Sequence, residues 1–156
     1  MTKLRFYINR ILKTVLVVLM GVLLIDVCWQ VFSRYILQSP SSFTDELARY
    51  LLIWLSLLGA AYMVGEKEHI AINILSKKLD KRLQSIIING SVLVFSVLVM
   101  VIGGTNLVLT ILSLDQLSAT LQIPMGYIYL ALPLSGILIS FYSVTNITES
   151  IKEGAR

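Results

Sequence analysis

The chain has 156 residues and a formal net charge of +4; 56% of its residues are hydrophobic and only 14% are charged. A soluble protein of this length could not bury so much apolar surface, because soluble domains carry roughly a quarter charged residues. A bilayer solvates apolar helix faces, so we predict an all-α integral membrane protein. The single cysteine, Cys28, and the single histidine, His69, exclude an internal disulfide and a multi-cysteine or multi-histidine metal centre.

Four apolar stretches are each long enough to cross the bilayer as a helix. We predict spans at 11–33, 47–65, 86–112 and 124–147 within a single membrane domain, 1–156. The first apolar core is too long for a cleaved signal peptide, and no Ala-x-Ala site follows it, so we expect it to be retained.

The second span begins after a polar turn. Pro40 breaks the preceding helix, and Ser42 or Thr44 is expected to cap the next one. Asp45 and Glu46 then lie in the first turn, where the helix dipole favours anions.

The third and fourth spans carry their own signals. The uncharged run of the third is longer than a bilayer requires, which predicts tilt or projection beyond the membrane. In the fourth, Pro124 suits a first helical turn, and Pro133 is expected to kink the helix or leave a carbonyl unpaired.

The connection between the second and third spans is basic. Its residues 70–84 place Leu75, Leu79 and Leu83 four apart, with lysines and an arginine between them. This pattern favours a short amphipathic helix on the membrane surface, and a solvated loop is the alternative.

The positions of the basic residues predict the topology. Eleven of the 13 flank the membrane on one side, and the exceptions are Arg34 and Arg49. The positive-inside rule then places both termini in the cytoplasm of a bacterial cell, with the protein in the inner membrane. Membrane lipids are the expected contacts of these basic residues, and we expect no nucleic-acid partner.

Asp26 is the most unusual residue, because an ionised carboxylate within a span costs about 2.5–3.5 kcal/mol. Gln30 and Arg34 follow at one-turn intervals, so the three side chains form a polar stripe. One hypothesis is a proton or ion site. The favoured one is a buried polar contact with Arg34, Arg49 or a partner chain, since no second intramembrane acid forms a relay.

A second charged cluster opens the second span. Asp45 and Arg49 are spaced to pair along a helix, next to Glu46. The cluster is interpreted either as dipole capping with an interfacial anchor or as a docking surface at the outer face. Further candidates for contacts are Trp54 and Gly59 in the span, and Glu68 and His69 after it.

No phosphate loop, catalytic triad or metal-ligand spacing occurs in the sequence. Paired broken helices, typical of secondary transporters, are also missing. We therefore predict neither an enzyme nor a cofactor, and a role in transport would be that of an accessory subunit.

Several motifs, taken in order, resemble one known family. They are WQVFSRY at 29–35, TDELARYLLIW at 44–54, LGAA at 58–61, EHIAIN at 68–73, Ile123-Pro124 and YLALPL at 129–134. The succession resembles the small membrane subunit of tripartite ATP-independent periplasmic (TRAP) transporters. The stretches 29–35 and 58–61 are most similar to those of sialic-acid systems.

The resemblance implies a division of labour. A large multi-span subunit would carry the substrate and sodium sites, and a soluble periplasmic binding protein would deliver an organic acid, of the sialic acid or C4-dicarboxylate class. The present chain would be a non-catalytic scaffold. Arg34, Asp45, Glu46 and Arg49 match charged positions of the family and Glu68-His69 its loop motif, whereas Asp26 lies outside the pattern.

Two alternative functions stay open at this point. One is a self-sufficient proton-coupled exporter that uses Asp26. The other is a membrane anchor for a redox enzyme, against which the single histidine weighs when the cofactor is haem.

Overall fold

The computed structural model describes residues 2–39, 41–66 and 81–153, and these are almost entirely helical. The elements are α1 (Thr2–Tyr35), α2 (Ser42–Gly65), α3 (Lys81–Phe95), a π-helical segment (Ser96–Gly103), α4 (Gly104–Ser113), α5 (Met125–Tyr129) and α6 (Ala131–Glu153). Within these residues, four helical stretches are long and apolar enough to cross a membrane: Leu4–Tyr35, Ser42–Gly65, Leu83–Ser113 and Met125–Lys152. The predicted all-α architecture with four spans is confirmed.

The fourth span is the centre of the bundle. Helix α6 packs against α2 on one side and against α3 and the π-helical segment on the other, while α1 packs against α2. The buried apolar core joins all four spans and consists of Leu12, Leu58, Ala61, Val64, Met100, Ile139 and Tyr142. Helix α1 and the third span consequently have broad apolar faces that the other described residues do not cover.

A close contact between the third and fourth spans depends on Gly136. A Cβ atom there would lie 2.7 Å from Cβ of Met100, in the π-helical segment, so a larger residue would force the helices apart. Nearby, the hydroxyls of Ser96 and Ser140 share a hydrogen bond of 2.8 Å. Gly136 and Ser140, four residues apart, have the spacing of small residues that favours close helix approach. Nothing in the sequence indicates the π-helical turn.

The third span is long and the fourth is interrupted, as predicted. The 31 residues of Leu83–Ser113 extend for about 46 Å, against roughly 30 Å of hydrocarbon, so this span must tilt or project. The fourth span breaks at Leu130, between α5 and α6. Pro133 has no N–H to donate to the carbonyl of Tyr129, which explains the break. Pro124 is the N-cap of α5 and does not lie in its first turn.

The helices extend beyond the predicted spans. Helix α1 already begins at Thr2, so the basic segment before the first span is helical. Helix α3 begins at Lys81, so the last four residues of the predicted amphipathic segment belong to the helix that continues into the third span. The rest of that segment, together with Pro40, Glu68 and His69, lies outside the described residues.

Candidate functional site

Polar side chains collect at the two ends of the bundle. The outer cluster, at the end predicted to face outward, consists of Gln30, Arg34, Asp45, Glu46 and Arg49. The inner network, at the opposite end, consists of Arg5, Asn9, Glu66, Asn89, Tyr142, Asn146 and Glu149. Both clusters lie at the ends of helices, where the chain enters or leaves the apolar layer.

Glu46 fastens the connection between α4 and α5 to α2. Its Oε2 accepts hydrogen bonds from the backbone N–H groups of Thr120 at 2.8 Å and Leu121 at 3.0 Å. Its Oε1 accepts one from the Ala119 N–H at 3.2 Å and one from the Tyr50 hydroxyl at 2.6 Å. A buried carboxylate that accepts three successive N–H groups is held firmly, because each bond is charge-assisted. Glu46 therefore positions the loop.

The start of α2 differs in detail from the prediction. Ser41 is the N-cap residue, and no side chain caps the helix there. The hydroxyl of Thr44, inside the first turn, donates to the Ser41 carbonyl at 3.0 Å. The prediction that Ser42 or Thr44 caps α2 is wrong, because Thr44 already lies inside the helix and bonds backwards.

Asp45 links the two outer helix ends. One carboxylate oxygen accepts a hydrogen bond of 2.9 Å from the Gln30 amide of α1, and the other pairs with Arg49 at 3.1 Å. The predicted pair along the helix is thus confirmed. Because both side chains of the pair are more than half exposed, it contributes little to stability.

The outer cluster surrounds an open cleft of about 330 Å³. Its wall is formed by Gln30, Arg34, Ser41, Ser42, Asp45, Glu46, Arg49, Ala119 and Thr120. Arg34 is exposed and forms no hydrogen bond or ion pair with the described part of the chain. Its guanidinium is therefore available to an acceptor from outside the chain.

Asp26 is separated from the rest of its predicted stripe. It is only 6% exposed, and its Oδ2 is buried without a hydrogen-bond partner. Among the described residues it pairs with neither Arg34 nor Arg49, whereas Gln30 and Arg34 line the cleft. The stripe is thus divided between a buried acid and two cleft residues.

The inner network ties the ends of three helices together. The Arg5 guanidinium pairs with Glu149 at 3.1 Å and donates to the Gly65 carbonyl at the end of α2. The Asn9 amide donates to Glu66 at 2.7 Å and accepts a hydrogen bond from the Tyr142 hydroxyl. The first residues of α1 are therefore bound both to the end of α2 and to α6.

Asn146 continues the network towards the third span. Its amide donates to the Val64 carbonyl at 3.1 Å and to Oδ1 of Asn89 at 3.3 Å. Together with Arg5, it supplies side-chain donors to carbonyls in the last turn of α2, where the helix itself no longer provides a full set of N–H groups. The sequence analysis missed this network, because its members are far apart along the chain and each alone is an ordinary polar residue near a span end.

The remaining candidates make contacts within the bundle. Trp54 is half-buried and packs on the core, and a Cβ atom at Gly59 would lie 4.0 Å from Cδ2 of Leu16. No group of three His, Cys, Asp or Glu side chains in the described residues could hold a metal ion. Exposed aromatic residues occur on α1, where Trp29 and Phe32 stack with ring centroids 5.8 Å apart.

Comparison with known proteins agrees with this architecture. The family model described as tripartite ATP-independent periplasmic transporters, DctQ component, matches residues 23–153. A TRAP transporter small permease protein of Haemophilus influenzae is 28% identical over 97% of this chain and 94% of its own length. The sialic acid TRAP transporter small permease protein of Vibrio cholerae is 29% identical over 96% and 86%. The C4-dicarboxylate TRAP transporter small permease protein of Rhodobacter capsulatus is 33% identical over 62% and 44%.

The first two relatives match nearly the whole chain, and the family model matches residues 23–153. The resemblance to the small subunit of TRAP transporters is thereby confirmed. The family is a transporter component of the inner membrane, which confirms that the chain is not an enzyme. It also implies association with a large permease subunit and a periplasmic binding protein. The chain belongs to the DctQ component family of tripartite ATP-independent periplasmic transporters.

Proposed function

We propose that this chain is a scaffold that holds the large transport subunit in the membrane and contributes no substrate pathway of its own. The observation that carries the proposal is the distribution of ionisable side chains. Asp26 is the one carboxylate of the described residues that is buried in a span and belongs to neither polar cluster. A coupled transporter of this size would need further ionisable groups along a path across the membrane.

The uncovered faces of the bundle support a partner of similar hydrophobicity. Helix α1 exposes a long series of large apolar side chains, including Ile25 and Trp29, and the third span exposes Val94 and Leu98. Such faces suit either lipid or the helices of another membrane subunit. Gly59 is a contact candidate from the sequence, but its surface already packs against Leu16 of the same chain.

The outer cleft supports a second contact on the water-exposed side. Arg34, Asp45 and Arg49 present both charge signs around an open space, and Arg34 has no partner in the described chain. We therefore prefer the docking interpretation of this cluster for these three residues. The carboxylate of Glu46 already accepts hydrogen bonds from the loop between α4 and α5, so it shapes the cleft and is not free to bind a partner.

Reconstitution in proteoliposomes tests the scaffold role. The chain alone is expected to give no uptake, while the chain together with the large subunit, a binding protein and a sodium gradient gives uptake of an organic acid. A preparation that lacks only this chain is the matched control. Sodium-driven uptake by the chain alone would overturn the proposal, and proton-driven export by it would favour the alternative that uses Asp26.

The substrate class is proposed from similarity to the relatives. One relative is named for sialic acid and another for C4-dicarboxylates, and both are organic acids that carry carboxylates. We propose an acid of one of these two classes, with the sialic acid type preferred on the stretches 29–35 and 58–61. Competition of labelled sialic acid uptake by excess sialic acid or C4-dicarboxylate distinguishes the two.

The proposed orientation has both termini in the cytoplasm. The structure supports it in one respect, since Arg5 and Glu149 pair and the two chain ends therefore lie at the same end of the bundle. With Cys28 replaced by serine, single cysteines at Ser39 and Lys152 can be labelled in intact cells. An impermeant maleimide is expected to label position 39 and to leave position 152 unlabelled, and the opposite pattern would reverse the orientation.

A further inference from the structure

Asp26 is buried, and Oδ2 of its carboxylate has no hydrogen-bond partner among the described residues. Along α1 the core-facing residues Leu12, Leu16 and Leu19 recur at three- and four-residue steps, and Asp26 continues this series seven residues later. Since α1 packs against α2, this series marks the face of contact. Oδ2 of Asp26 is buried there without a hydrogen bond.

The register of the two antiparallel helices shows what lies opposite. Leu16 contacts the Gly59 position at 4.0 Å, and Gln30 bonds Asp45 at 2.9 Å. The fourteen residues from Leu16 to Gln30 are thus matched by fourteen from Gly59 back to Asp45. Asp26, ten residues after Leu16, is level with Arg49, ten residues before Gly59.

Arg49 is also the one cation that α2 offers. No other basic residue occurs between Ser42 and Gly65. On α1 the nearest is Arg34, eight residues away, which corresponds to about 12 Å along the helix. The charged groups nearest to Asp26 on α2 are therefore Arg49 and, about one turn farther out, Glu46 and Asp45.

The present partner of Arg49 holds it loosely. The pair with Asp45 is exposed, with 67% of the Arg49 side chain and 59% of that of Asp45 accessible to solvent. Exposed pairs of this kind contribute little, and Asp45 keeps a second donor in Gln30 when the guanidinium leaves. A buried carboxylate, in contrast, gains much from a cation, because an unpaired charge there is unfavourable.

We propose that Asp26 is a second carboxylate partner of Arg49, and that the guanidinium exchanges between Asp45 in the outer cleft and Asp26 in the contact between α1 and α2. The exchange draws a positive charge out of the cleft and leaves Asp45 free for a cationic group of another protein. It thereby couples the state of the cleft to the packing of α1 on α2. The proposal is independent of the scaffold role, because it concerns the chain alone.

The direction in which Asp26→Asn changes the melting temperature tests this proposal. If Asp26 pairs with Arg49, Asp26→Asn removes an ion pair and lowers the melting temperature of the purified full-length chain by about 2–4 °C, corresponding to a change of one kcal/mol in a protein of this size. In an Arg49→Gln background the same substitution removes an unpaired buried charge, so the melting temperature stays constant or rises. A melting temperature that is unchanged or higher after Asp26→Asn in the parent chain contradicts the proposal.

Two controls keep the test specific. Asp26→Glu retains the carboxylate, so its stability is expected to stay dependent on Arg49. Asp45→Asn removes the competing partner of Arg49, so in that background Asp26→Asn is expected to lower the melting temperature at least as much as in the parent chain. If Asp26→Asn cannot be purified, a cysteine pair at 26 and 49 in a Cys28→Ser chain supplies a second measurement. A short bifunctional thiol reagent should join this pair and leave a pair at 26 and 56 separate. Equal cross-linking of both pairs would contradict the register.

Discussion

The two polar ends of the bundle use their side chains differently. At the inner end, each of Arg5, Asn9 and Asn146 bonds groups on other parts of the chain. The bond of Asn146 is buried and that of Arg5 with Glu149 is partly buried, whereas Glu66, the partner of Asn9, is exposed. At the outer end, Glu46 is enclosed by backbone donors, but Arg34 and the Asp45–Arg49 pair stay open to solvent. The inner network thus stabilises the bundle, while the outer cluster leaves charge available for another molecule.

The difference follows from where the two ends of α2 find hydrogen-bond partners for their backbone groups. Helix α2 ends among α1 and α6, where its last carbonyls would be buried without partners unless side chains supplied donors. It begins beside an open cleft, where water can satisfy the N–H groups and Ser41 forms no capping bond. Substitutions at the inner end should therefore change stability, and those at the outer end should change association.

The largest effect is expected for Arg5→Ala in the inner network. It removes the ion pair with Glu149 and the hydrogen bond that the Gly65 carbonyl accepts. We expect a loss of about 2 kcal/mol, or roughly 4–8 °C in melting temperature, because the pair is mostly shielded from water. Thermal unfolding of the detergent-solubilised chain measures it. Arg10→Ala removes an exposed cation from the same helix and is the matched control; an equal loss there would show that charge alone matters.

A smaller and more local effect is expected for Glu46→Gln. The neutral amide loses charge-assisted bonds and turns a donor towards the N–H groups of 119–121, so these groups lose part of their acceptor capacity. A local loss of about 1.4 kcal/mol corresponds to roughly tenfold faster hydrogen exchange of these amides.

The exposed acid of the same loop provides the control for Glu46. Asp115 has a positive φ of 47°, which asparagine also accepts, so Asp115→Asn changes charge without changing the backbone. We expect it to leave the exchange of amides 119–121 unaltered. Should Glu46→Gln likewise leave them protected, the loop must be held by its apolar contacts rather than by the carboxylate.

The contrast also explains which features could be predicted from sequence. Span number, the pair of Asp45 with Arg49, and the break before Pro133 depend on residues close together along the chain or on composition. Each has a local physical cause, whether hydropathy, helical spacing or the missing N–H of proline.

The features that could not be predicted join residues far apart in the sequence. Glu46 meets the backbone of 119–121, and N–H groups carry no signal in the sequence. Arg5 meets Glu149 only because the fourth span returns to the level at which the first began. The predicted capping residue of α2 was wrong by only a few positions. Ser41 is the N-cap residue, whereas the sequence analysis expected Ser42 or Thr44.

The smallest effect on stability, and the sharpest test of the comparison, is expected for Asp45→Asn. Its pair with Arg49 is exposed, so we expect a change within about 0.5 kcal/mol and a melting temperature close to that of the parent chain. If the outer cleft docks another component, the same variant should nevertheless weaken co-purification with the large subunit or raise the concentration of binding protein needed for half-maximal uptake. Arg34→Ala should act in the same way, because its guanidinium has no partner within the described chain to lose. A parent-like assembly and uptake in both variants would mean that the cleft charges serve only to position the helix ends at the membrane surface.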